Sequence, residues 1–266
     1  MTDSTSGNWA GFYPPAEVPE AVVAPGYPLY ILPRALNESP VRIQVPWNDD
    51  LLGPFGGTPG DRLQLLLDGI LVGAPYEITE ADVEAKQPLT LMLVLAPGDG
   101  LDWNNTPHTL SYEIRWSLGQ GTSTGVDTTL YIDRTAPGGD SLKPVLLPTV
   151  GIEALVLNEQ LDNEGRLLGH VPEYPDQWEG DKITPYIFGR HEGYLLLTGQ
   201  TLQLPPGPVS QPIVIYYPES DLINAGNGVR LLGFQVVDLA GNVSAFSRGT
   251  PVILALFDPG YISDSA

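Results

Sequence analysis

Apolar and polar residues alternate with a period of two along most of the chain. The segment Arg62-Leu-Gln-Leu-Leu-Leu67 is followed by Asp68-Gly69 and then by Ile70-Leu-Val72. An Asp-Gly pair between two apolar runs is typical of a tight hairpin turn, so we predict strand, turn and strand here. The same alternation predicts further strands at residues 41–45, 89–95, 111–117, 128–132, 183–188, 194–197, 213–217, 230–237 and 252–256.

Two segments modify this β pattern. Pro185 lies inside the predicted strand 183–188, and because proline cannot donate to a sheet ladder it indicates an edge strand or a bulge. Residues 79–84 are the best helix candidate, with Thr79 as N-cap and Asp82 three residues later, but they can form only a turn or two. The chain is therefore predicted to be all-β, with strands spaced as in a β-sandwich.

The two halves of the chain repeat each other approximately. Val45-Pro46 matches Val171-Pro172 at an offset of 126 residues, and Gly60-Asp61 matches Gly180-Asp181 at an offset of 120. Two further matches share an offset of 122, namely residues 89–94 with 211–216 and residues 112–123 with 234–245. Small changes of offset, absorbed in loops, are typical of two copies of one module.

This repeat predicts two domains that meet in a segment rich in Pro, Gly and Asp. The predicted order is an extended Pro-rich arm, a first sandwich, a linker, a second sandwich and a tail, at residues 1–26, 27–136, 137–142, 143–258 and 259–266. The arm contains several aromatic residues. We expect it either to cover a domain surface or to dock on a partner, including a sheet edge of another copy.

Charge and composition exclude several classes of protein. The chain has 12 Lys and Arg against 32 Asp and Glu, a formal net charge of −20. Binding to nucleic acid or to an anionic membrane needs clustered basic residues, so neither is expected. The absence of Cys excludes disulfides, thiolate metal sites and a Cys nucleophile. No apolar run approaches the roughly 20 residues of a membrane span, and residues 1–26 do not resemble a Sec signal.

One segment resembles a known family. Asp238-Leu-Ala-Gly241-Asn242-Val-Ser244 is similar to the D-x-A-G-N-x-S signature near the last hairpin of bacterial immunoglobulin-like (Big-type) tandem repeat domains. In the first half, Ser117-Leu-Gly119-Gln-Gly121 keeps a Gly-rich turn but lacks the Asp and Asn. In this reading Gly241 and Asn242 supply the positive-φ residues of the turn, while Phe234 and Val236 point into the core.

The resemblance implies two tandem immunoglobulin-like β-sandwich domains of a large bacterial surface or adhesin protein. The expected function is that of a non-enzymatic structural or adhesive module, which contacts proteins or glycans on a cell surface through loops and sheet edges. The expected location is extracellular or on the cell surface, reached by a route without an N-terminal Sec signal, and otherwise the cytoplasm.

Calcium is the cofactor for which the sequence offers candidate ligands, and no other cofactor is expected. Residues 98–105 contain Asp99, Asp102 and Asn104, whose side chains present oxygen atoms of the kind that Ca²⁺ prefers. Asp49-Asp50 and residues 162–164 are similar acidic loops. None reproduces the EF-hand pattern, so solvated acidic loops that keep the protein soluble are the alternative.

The alternative function is a carbohydrate-binding, lectin-like or receptor-binding module of a toxin or tail-fibre assembly. Trp103 and Trp178 stand beside polar residues, and exposed rings in such places can stack on sugars. Burial of both rings is the competing interpretation. The three His residues, His108, His170 and His191, are expected in or beside turns and lack zinc-site spacing, and no catalytic motif is present, so an enzyme is not expected.

Overall fold

A computed structural model of the chain describes residues 13–23, 29–36, 40–47, 58–94, 106–118, 121–151, 154–188, 195–197, 200–206 and 212–256. The chain divides into two compact units, Met1–Arg134 and Thr135–Ala266. Each unit is built mainly from strands in more than one sheet, which confirms the all-β prediction.

The described residues of the first unit form nine strands and one α-helix. The strands are β1 (Val22–Val23), β2 (Leu29–Leu32), β3 (Val41–Val45), β4 (Arg62–Leu67), β5 (Ile70–Glu77), β6 (Leu89–Leu93), β7 (Thr106–Arg115), β8 (Thr122–Thr124) and β9 (Thr128–Ile132), and the helix is α1 (Glu80–Ala85). A short 3-10 turn covers Arg34–Leu36.

Two sheets enclose the core of the first unit. The larger has the strand order β1-β2-β9-β7-β4-β5, with β8 also paired to β7, and the smaller consists of β3 and β6. The β2–β9 pair is parallel, whereas the other pairs are antiparallel. Alternate residues of both sheets are buried in one apolar cluster, among them Ile43, Leu65, Leu91, Leu110 and Leu130. Two sheets that share one core in this way form a sandwich.

The described residues of the second unit form eight strands and one α-helix. The strands are β10 (Leu155–Val156), β11 (Arg166–Val171), β12 (Lys182–Phe188), β13 (Leu195–Leu197), β14 (Leu202–Gln203), β15 (Ile213–Pro218), β16 (Gly228–Val237) and β17 (Thr250–Leu254), and the helix is α2 (Glu219–Ala225). A 3-10 turn covers Asn158–Gln160.

The second unit repeats the strand order of the first. Its larger sheet has the order β10-β17-β16-β12-β13, with β14 also paired to β12, and its smaller sheet consists of β11 and β15. These five strands correspond in order and direction to β2-β9-β7-β4-β5, and β10 is again parallel to β17. Both sheets contribute to a single buried cluster. Each unit is therefore an immunoglobulin-like β-sandwich.

Each sandwich begins earlier than its first regular strand. In the first unit Tyr13, Ala16 and Val18 are buried in the core, and Glu17 exchanges two backbone hydrogen bonds with Gln44 of β3, at 2.8 and 2.9 Å. The described part of the predicted arm is thus extended and packed within this unit. A cut at residue 26 would divide this packed segment from the rest of its core.

The predicted linker, residues 137–142, packs as part of the second unit. Gly138 is buried, and its N–H donates to the Pro175 carbonyl at 2.9 Å. Leu142 is fully buried in the second core. Leu146 then exchanges two backbone hydrogen bonds with His170 of β11, as Glu17 does with Gln44 in the first unit.

The predicted local features have clear physical counterparts. Asp68 and Gly69 both have positive φ, 50° and 76°, as a two-residue hairpin requires. Thr79 Oγ1 accepts from the Asp82 N–H while Asp82 accepts from the Thr79 N–H, which forms a capping box for α1. At Pro185 the edge-strand alternative was wrong, because β12 has neighbours on both sides. One of these neighbours is split at the proline: β14 pairs with Lys182 and Ile183, and β13 pairs only with Tyr186–Phe188.

The expected positions of two histidines were wrong. His108 lies within β7 and is only 5% exposed, and His170 lies within β11, so neither occupies a turn. Residue types that favour turns obscured the β pattern at both positions, although they lie in the same strands: Thr106-Pro107 in β7 and Gly169 in β11. His191 lies outside the described residues.

Candidate functional site

The main calcium and sugar candidates lie in a segment that the structure does not describe. Asp99, Asp102, Trp103 and Asn104 belong to residues 95–105, and Asp49-Asp50 are likewise outside the described residues. Within the described ranges, no three His, Cys, Asp or Glu side chains are grouped closely enough to hold a metal ion.

The acidic loop at residues 162–164 is bound by the side chain of Arg166. Asp162 Oδ1 accepts from the N–H groups of Glu164 and Arg166, both at 2.9 Å, and Asp162 Oδ2 lies 2.9 Å from Arg166 Nη2. The guanidinium also lies 3.9 Å from the centre of the Tyr216 ring. Desolvation tends to raise the pKa of Asp162, but the hydrogen bonds from Arg166 outweigh it and lower that pKa. The negative charge of Asp162 is thus balanced by Arg166 of the same chain.

Trp178 is the one sugar-binding candidate that the structure describes, and 40% of its surface is exposed. It lies in the turn before β12, where its backbone N–H donates to Asp181 Oδ2 at 3.0 Å. Glu179 beside it is only 7% exposed, whereas Asp176 is exposed. The ring is therefore accessible, but only one of these two neighbouring carboxylates faces solvent.

A buried aspartate after a Gly closes the same turn in both units. Asp61 accepts from the N–H of Thr58 at 2.9 Å, and Asp181 accepts from the N–H of Trp178, in each case three residues earlier. Gly60 and Gly180 have φ of 93° and 84°, where only glycine is relaxed. The exposed fractions of the two aspartates are 2% and 0%. The repeated Gly-Asp pair is thus a structural turn.

The two buried aspartates differ in their remaining partners. Asp61 Oδ1 accepts from the N–H and the hydroxyl of Ser117, at 2.7 and 2.9 Å. Asp181 Oδ2 accepts from the Tyr174 hydroxyl at 2.8 Å. Burial, together with the charge of Asp181, raises the pKa of Tyr174 far above its ordinary value, so this hydroxyl remains a donor.

The segment that resembles the family signature forms a carboxylate-bound turn. Asp238 accepts from the backbone N–H and the side-chain amide of Asn242, at 2.8 and 2.9 Å, and Ser244 Oγ accepts from the Val236 N–H at 2.9 Å. Only Gly241 has positive φ, so the expectation of positive φ at Asn242 was wrong, because that residue serves as a donor to Asp238. Phe234 and Val236 are fully buried, as predicted.

The buried position of Asn242 also decides one possible modification. Asn242-Val-Ser244 matches a glycosylation acceptor, as Asn104-Asn-Thr106 does. The Asn242 side chain is 0% exposed and is bound to Asp238, so it is not available to a glycan. Asn104 lies outside the described residues.

A His–Asp pair connects the turn of the β4–β5 hairpin to the neighbouring strand β7. His108 Nδ1 lies 2.7 Å from Asp68 Oδ2, and Asp68 Oδ1 accepts from the Thr109 N–H at 2.8 Å. Desolvation tends to raise the pKa of Asp68, but the hydrogen bonds from His108 and Thr109 lower it overall. Because Asp68 lies in the hairpin turn while His108 and Thr109 lie in β7, these contacts fasten the turn to that strand.

In each unit a strand near the start lies parallel to the last strand. In the first unit β2 lies parallel to β9, with Leu29 opposite Thr129 and Leu32 opposite Ile132. In the second unit β10 lies parallel to β17, where the Ile253 N–H donates to the Ala154 carbonyl at 2.7 Å and the Ala255 N–H donates to the Val156 carbonyl at 3.0 Å.

A threonine hydroxyl fastens the beginning of each unit to its last strand. Thr128 Oγ1 donates to the Ala16 carbonyl at 2.9 Å, and Thr250 Oγ1 donates to the Val145 carbonyl at 2.5 Å. The two threonines occupy the first positions of β9 and β17, 122 residues apart. We call these two bonds the threonine latches.

No protein-family model matches the chain, and no curated protein matches it. Solved structures that resemble it include one of a 1.5-MDa bacterial ice-binding adhesin, with 14% identity over 85% of this chain and 61% of that chain, at a TM-score of 0.40. Extracellular domains 3–5 of Drosophila OTK share 11% identity over 92% of this chain and 68% of theirs, at a TM-score of 0.26. Latent dimeric PorU from Porphyromonas gingivalis shares 14% identity over 91% of this chain and 20% of its own, at 0.31.

The chain thus spans less than two thirds of the adhesin structure. Because all three TM-scores are below 0.5, these similarities assign neither a fold nor a function to the chain. In the described part of the molecule, no helix is long and apolar enough to cross a membrane.

Sequence reasoning missed the residues that fasten each unit. Asp61 and Asp181 were noticed only as part of the repeat, and Thr128 and Thr250 were not singled out. A signal for all four exists in the repeat itself, because a polar residue that recurs at equivalent positions in or beside apolar-patterned strands has a structural reason to be there.

Proposed function

We propose that the chain is a non-enzymatic structural and adhesive module of a bacterial secreted or surface protein, related to the Big-type tandem repeats, whose two units resist unfolding under tension. The observation that supports this proposal is the parallel pairing of the last strand of each larger sheet with a strand near the start of the same unit, β9 with β2 and β17 with β10. The family resemblance of residues 238–244 supports the bacterial surface setting.

Parallel terminal strands respond to tension in a particular way. When the two ends of a unit are pulled apart, the neighbouring strands are drawn in opposite directions along their length. The backbone hydrogen bonds between them are then loaded in shear and must break together, whereas those of a hairpin pulled open from its end break one after another. Each bond is worth only about 1 kcal/mol at equilibrium, so the resistance comes from the simultaneous loss of several.

The threonine latches add to this resistance. Each latch joins the segment that enters the sandwich to the last strand, so it lies on the path along which tension passes through the unit. Loss of a buried hydroxyl leaves a carbonyl without that donor, at a cost of about 1–3 kcal/mol. Forced unfolding is governed by the unfolding barrier, on which such bonds act directly.

Single-molecule force spectroscopy on the full chain tests the proposal. We expect two unfolding events, each releasing roughly 40–45 nm of extended chain. The chain has no Cys, so single attachment points can be introduced freely. Handles at Arg62→Cys and Glu77→Cys pull on a cross-strand pair and open the β4–β5 hairpin from its end. The proposal fails if the chain unfolds from its termini at forces no higher than this hairpin opening requires.

A latch variant provides the matched comparison. Thr128→Val keeps the shape of the side chain but removes the hydroxyl, and we expect the first unit to unfold about 10-fold faster at a given force, which corresponds to about 1.4 kcal/mol. Thr129→Val changes the exposed neighbour on the same strand and serves as control. Equal unfolding rates for the two variants would show that the Thr128 hydroxyl does not contribute to the resistance.

A further inference from the structure

The larger sheet of the second unit exposes an apolar outer face. Val229 is 66% exposed, Ile253 44%, Phe188 41% and Leu231 39%, although all four lie in regular strands or at a strand end. We use the term apolar face for six side chains on three neighbouring ladders: Leu155, Phe188, Val229, Leu231, Pro251 and Ile253.

The strand register makes this face continuous. Leu231 is directly opposite Phe188 on one side and Pro251 on the other, which forms one row across three strands. Ile253 is directly opposite Val229 and Leu155, which forms the next row. Directly opposed residues lie on the same side of a sheet, so the six side chains form one patch. Together they expose roughly 300–400 Å², a size that is often functional in soluble proteins.

The second row is apolar in both units, since the first unit has Ile31, Tyr131 and Pro107 there, but the fold does not require apolar residues in the first row. The corresponding row in the first unit consists of Asp68, Thr109 and Thr129, all exposed. That row occupies the same place in a sheet with the same strand order. Since the first unit forms the same sandwich with polar residues there, the apolar row of the second unit needs an explanation other than folding.

Two edges of the larger sheets, at β5 and β10, are poor docking sites by comparison. At the edge strand β5, Gly73 has φ of 70° and its carbonyl accepts from Gln64 Nε2 at 2.9 Å, and Pro75 follows. Beyond β10, the Leu157 N–H donates to Gln160 Oε1 at 2.7 Å. Bulges, prolines and side chains that occupy edge donors oppose the addition of another strand. A partner is therefore expected to meet the sheet through side chains on its outer face.

We propose that the apolar face binds the same face of a second copy of this chain. All six side chains are uncharged in a chain with a net charge of −20, so this face allows two copies to approach without opposing carboxylates within the patch. An apolar face pairs with itself under two-fold symmetry without any need for complementary charges. The proposal concerns side chains on one sheet face, and it does not depend on the resistance to tension proposed above.

The area predicts a weak and reversible dimer. Two copies of the apolar face bury roughly 600–800 Å² in total, which is below the 1,200–2,000 Å² or so of stable interfaces. The remaining surface of each copy carries the acidic charge, which opposes association at low ionic strength. Salt screens this repulsion, because the Debye length falls from about 10 Å at 0.1 M to about 3 Å at 1 M. Association should therefore strengthen as salt is added.

Sedimentation equilibrium of the full chain over a range of concentrations and at both salt levels tests the proposal. We expect a monomer–dimer equilibrium that strengthens with salt. The variant Leu231→Thr/Pro251→Thr introduces the polar residues found in the first unit, and we expect it to weaken the dimer at least 10-fold. Leu146→Thr, at a position of the same unit that is 59% exposed but outside the apolar face, is the matched control and should leave the dimer unchanged.

Other outcomes overturn the proposal. A chain that stays monomeric at every concentration and at both salt levels has no such contact, and a dimer that weakens with salt is held by charge. A dimer lost on deletion of residues 1–12 but retained in the double variant uses the N-terminal segment. If the double variant has a lower melting temperature, Val229→Thr, at a position that is 66% exposed, repeats the test with a single change.

Discussion

The two units use one strand order with different outer surfaces. In the same row of the same sheet, the first unit has Asp68, Thr109 and Thr129, whereas the second has Phe188, Leu231 and Pro251. The inward positions remain apolar in both, and the Gly-Asp turn is kept. The inner faces and this turn are therefore set by the fold, while the outer faces are free to differ between the copies.

The largest effect should follow from breaking the shared turn. Asp61→Ala removes the acceptor of three donors, Thr58 N–H, Ser117 N–H and Ser117 Oγ, and we expect the first unit to lose about 3 kcal/mol of unfolding free energy. Urea unfolding of the full chain measures it. Trp178 is the single Trp of the second unit, so in a background with the other four Trp residues replaced by Phe its fluorescence reports that unit separately.

The equivalent substitution in the second unit gives the other half of this comparison. Asp181→Ala should shift the transition reported by Trp178 and leave the first unit unchanged. Asp127→Ala, at an exposed position, should shift neither. A cost below about 1 kcal/mol for Asp61→Ala would contradict the structural role of the turn.

Acid should destabilise the two units to different extents. In the first, the pKa values of Asp68 and Asp82 are lowered. Their ionised forms contribute stability above the unfolded value near pH 4, and this is lost as pH falls through the lowered folded pKa values.

In the second unit two carboxyls act in opposite directions. The pKa of Asp162 is lowered, but burial raises the pKa of Asp238 despite its hydrogen bonds from Asn242. Protonation of Asp238 therefore stabilises the folded state as pH falls, and offsets the loss at Asp162. We expect thermal melts between pH 5 and about pH 3 to lower the transition of the first unit more. The opposite order would contradict these assignments, and Asp238→Asn should remove the offset.

A smaller effect should come from strain confined to one strand end. Ala154 has φ of 53°, a left-handed conformation that is unfavourable for a residue with a Cβ, immediately before β10. Ala154→Gly should stabilise the second unit by up to about 1 kcal/mol, measured by urea unfolding through Trp178 fluorescence. Gly151→Ala lies in the preceding turn, and its added Cβ has nothing within 4 Å. It is the control for a Gly/Ala exchange at a position without strain. Destabilisation by Ala154→Gly would show that the greater conformational entropy of glycine in the unfolded chain outweighs the relief of strain in the folded one.

The smallest effect concerns calcium, which we propose binds only the first unit. Asp99, Asp102 and Asn104 are the candidate ligands there, whereas Asp162 of the second unit is already bound to Arg166. At a Ca²⁺ concentration equal to Kd, the gain is about 0.4 kcal/mol. A thermal melt with Ca²⁺, with Mg²⁺ and with EDTA measures it. A Ca²⁺-dependent rise confined to the second unit, or equal rises with Mg²⁺, would contradict this assignment.

The sequence pattern predicted the strands in which apolar and polar residues alternate strictly. The bounds predicted for residues 41–45 and 128–132 are those observed. The strand β11 was missed because Gly169 takes an inward position, where a Cβ would lie 2.9 Å from Val145 Cγ2 and 3.1 Å from the Tyr217 ring. Because the neighbouring side chains leave no room for a Cβ, this inward position is occupied by glycine, and the alternation of apolar residues is interrupted there.

Helix α2 was missed for a different reason. It follows directly on β15 after Pro218, and only Leu222 and Ala225 of its seven residues are buried. Two apolar residues three positions apart are too few to establish a helical period in a sequence. The candidate ligand positions at 99–104 remain predictions. The alternation of apolar and polar residues did not predict the latches or the buried aspartates. The bonds that Thr128 and Thr250 donate to distant carbonyls, and those that Asp61 and Asp181 accept from N–H and hydroxyl groups, leave no trace of period two, so only the repeat marked these positions.

The packing of Tyr13, Ala16 and Val18 into the first core bears on how such units are copied and recombined. A gene segment that begins at the first long strand would encode a sandwich without these three packed side chains, and its product would expose part of its core. A duplication that yields two folding copies has to start upstream of Tyr13 in one copy and upstream of Leu142 in the other, so the heritable module is longer than its regular strands.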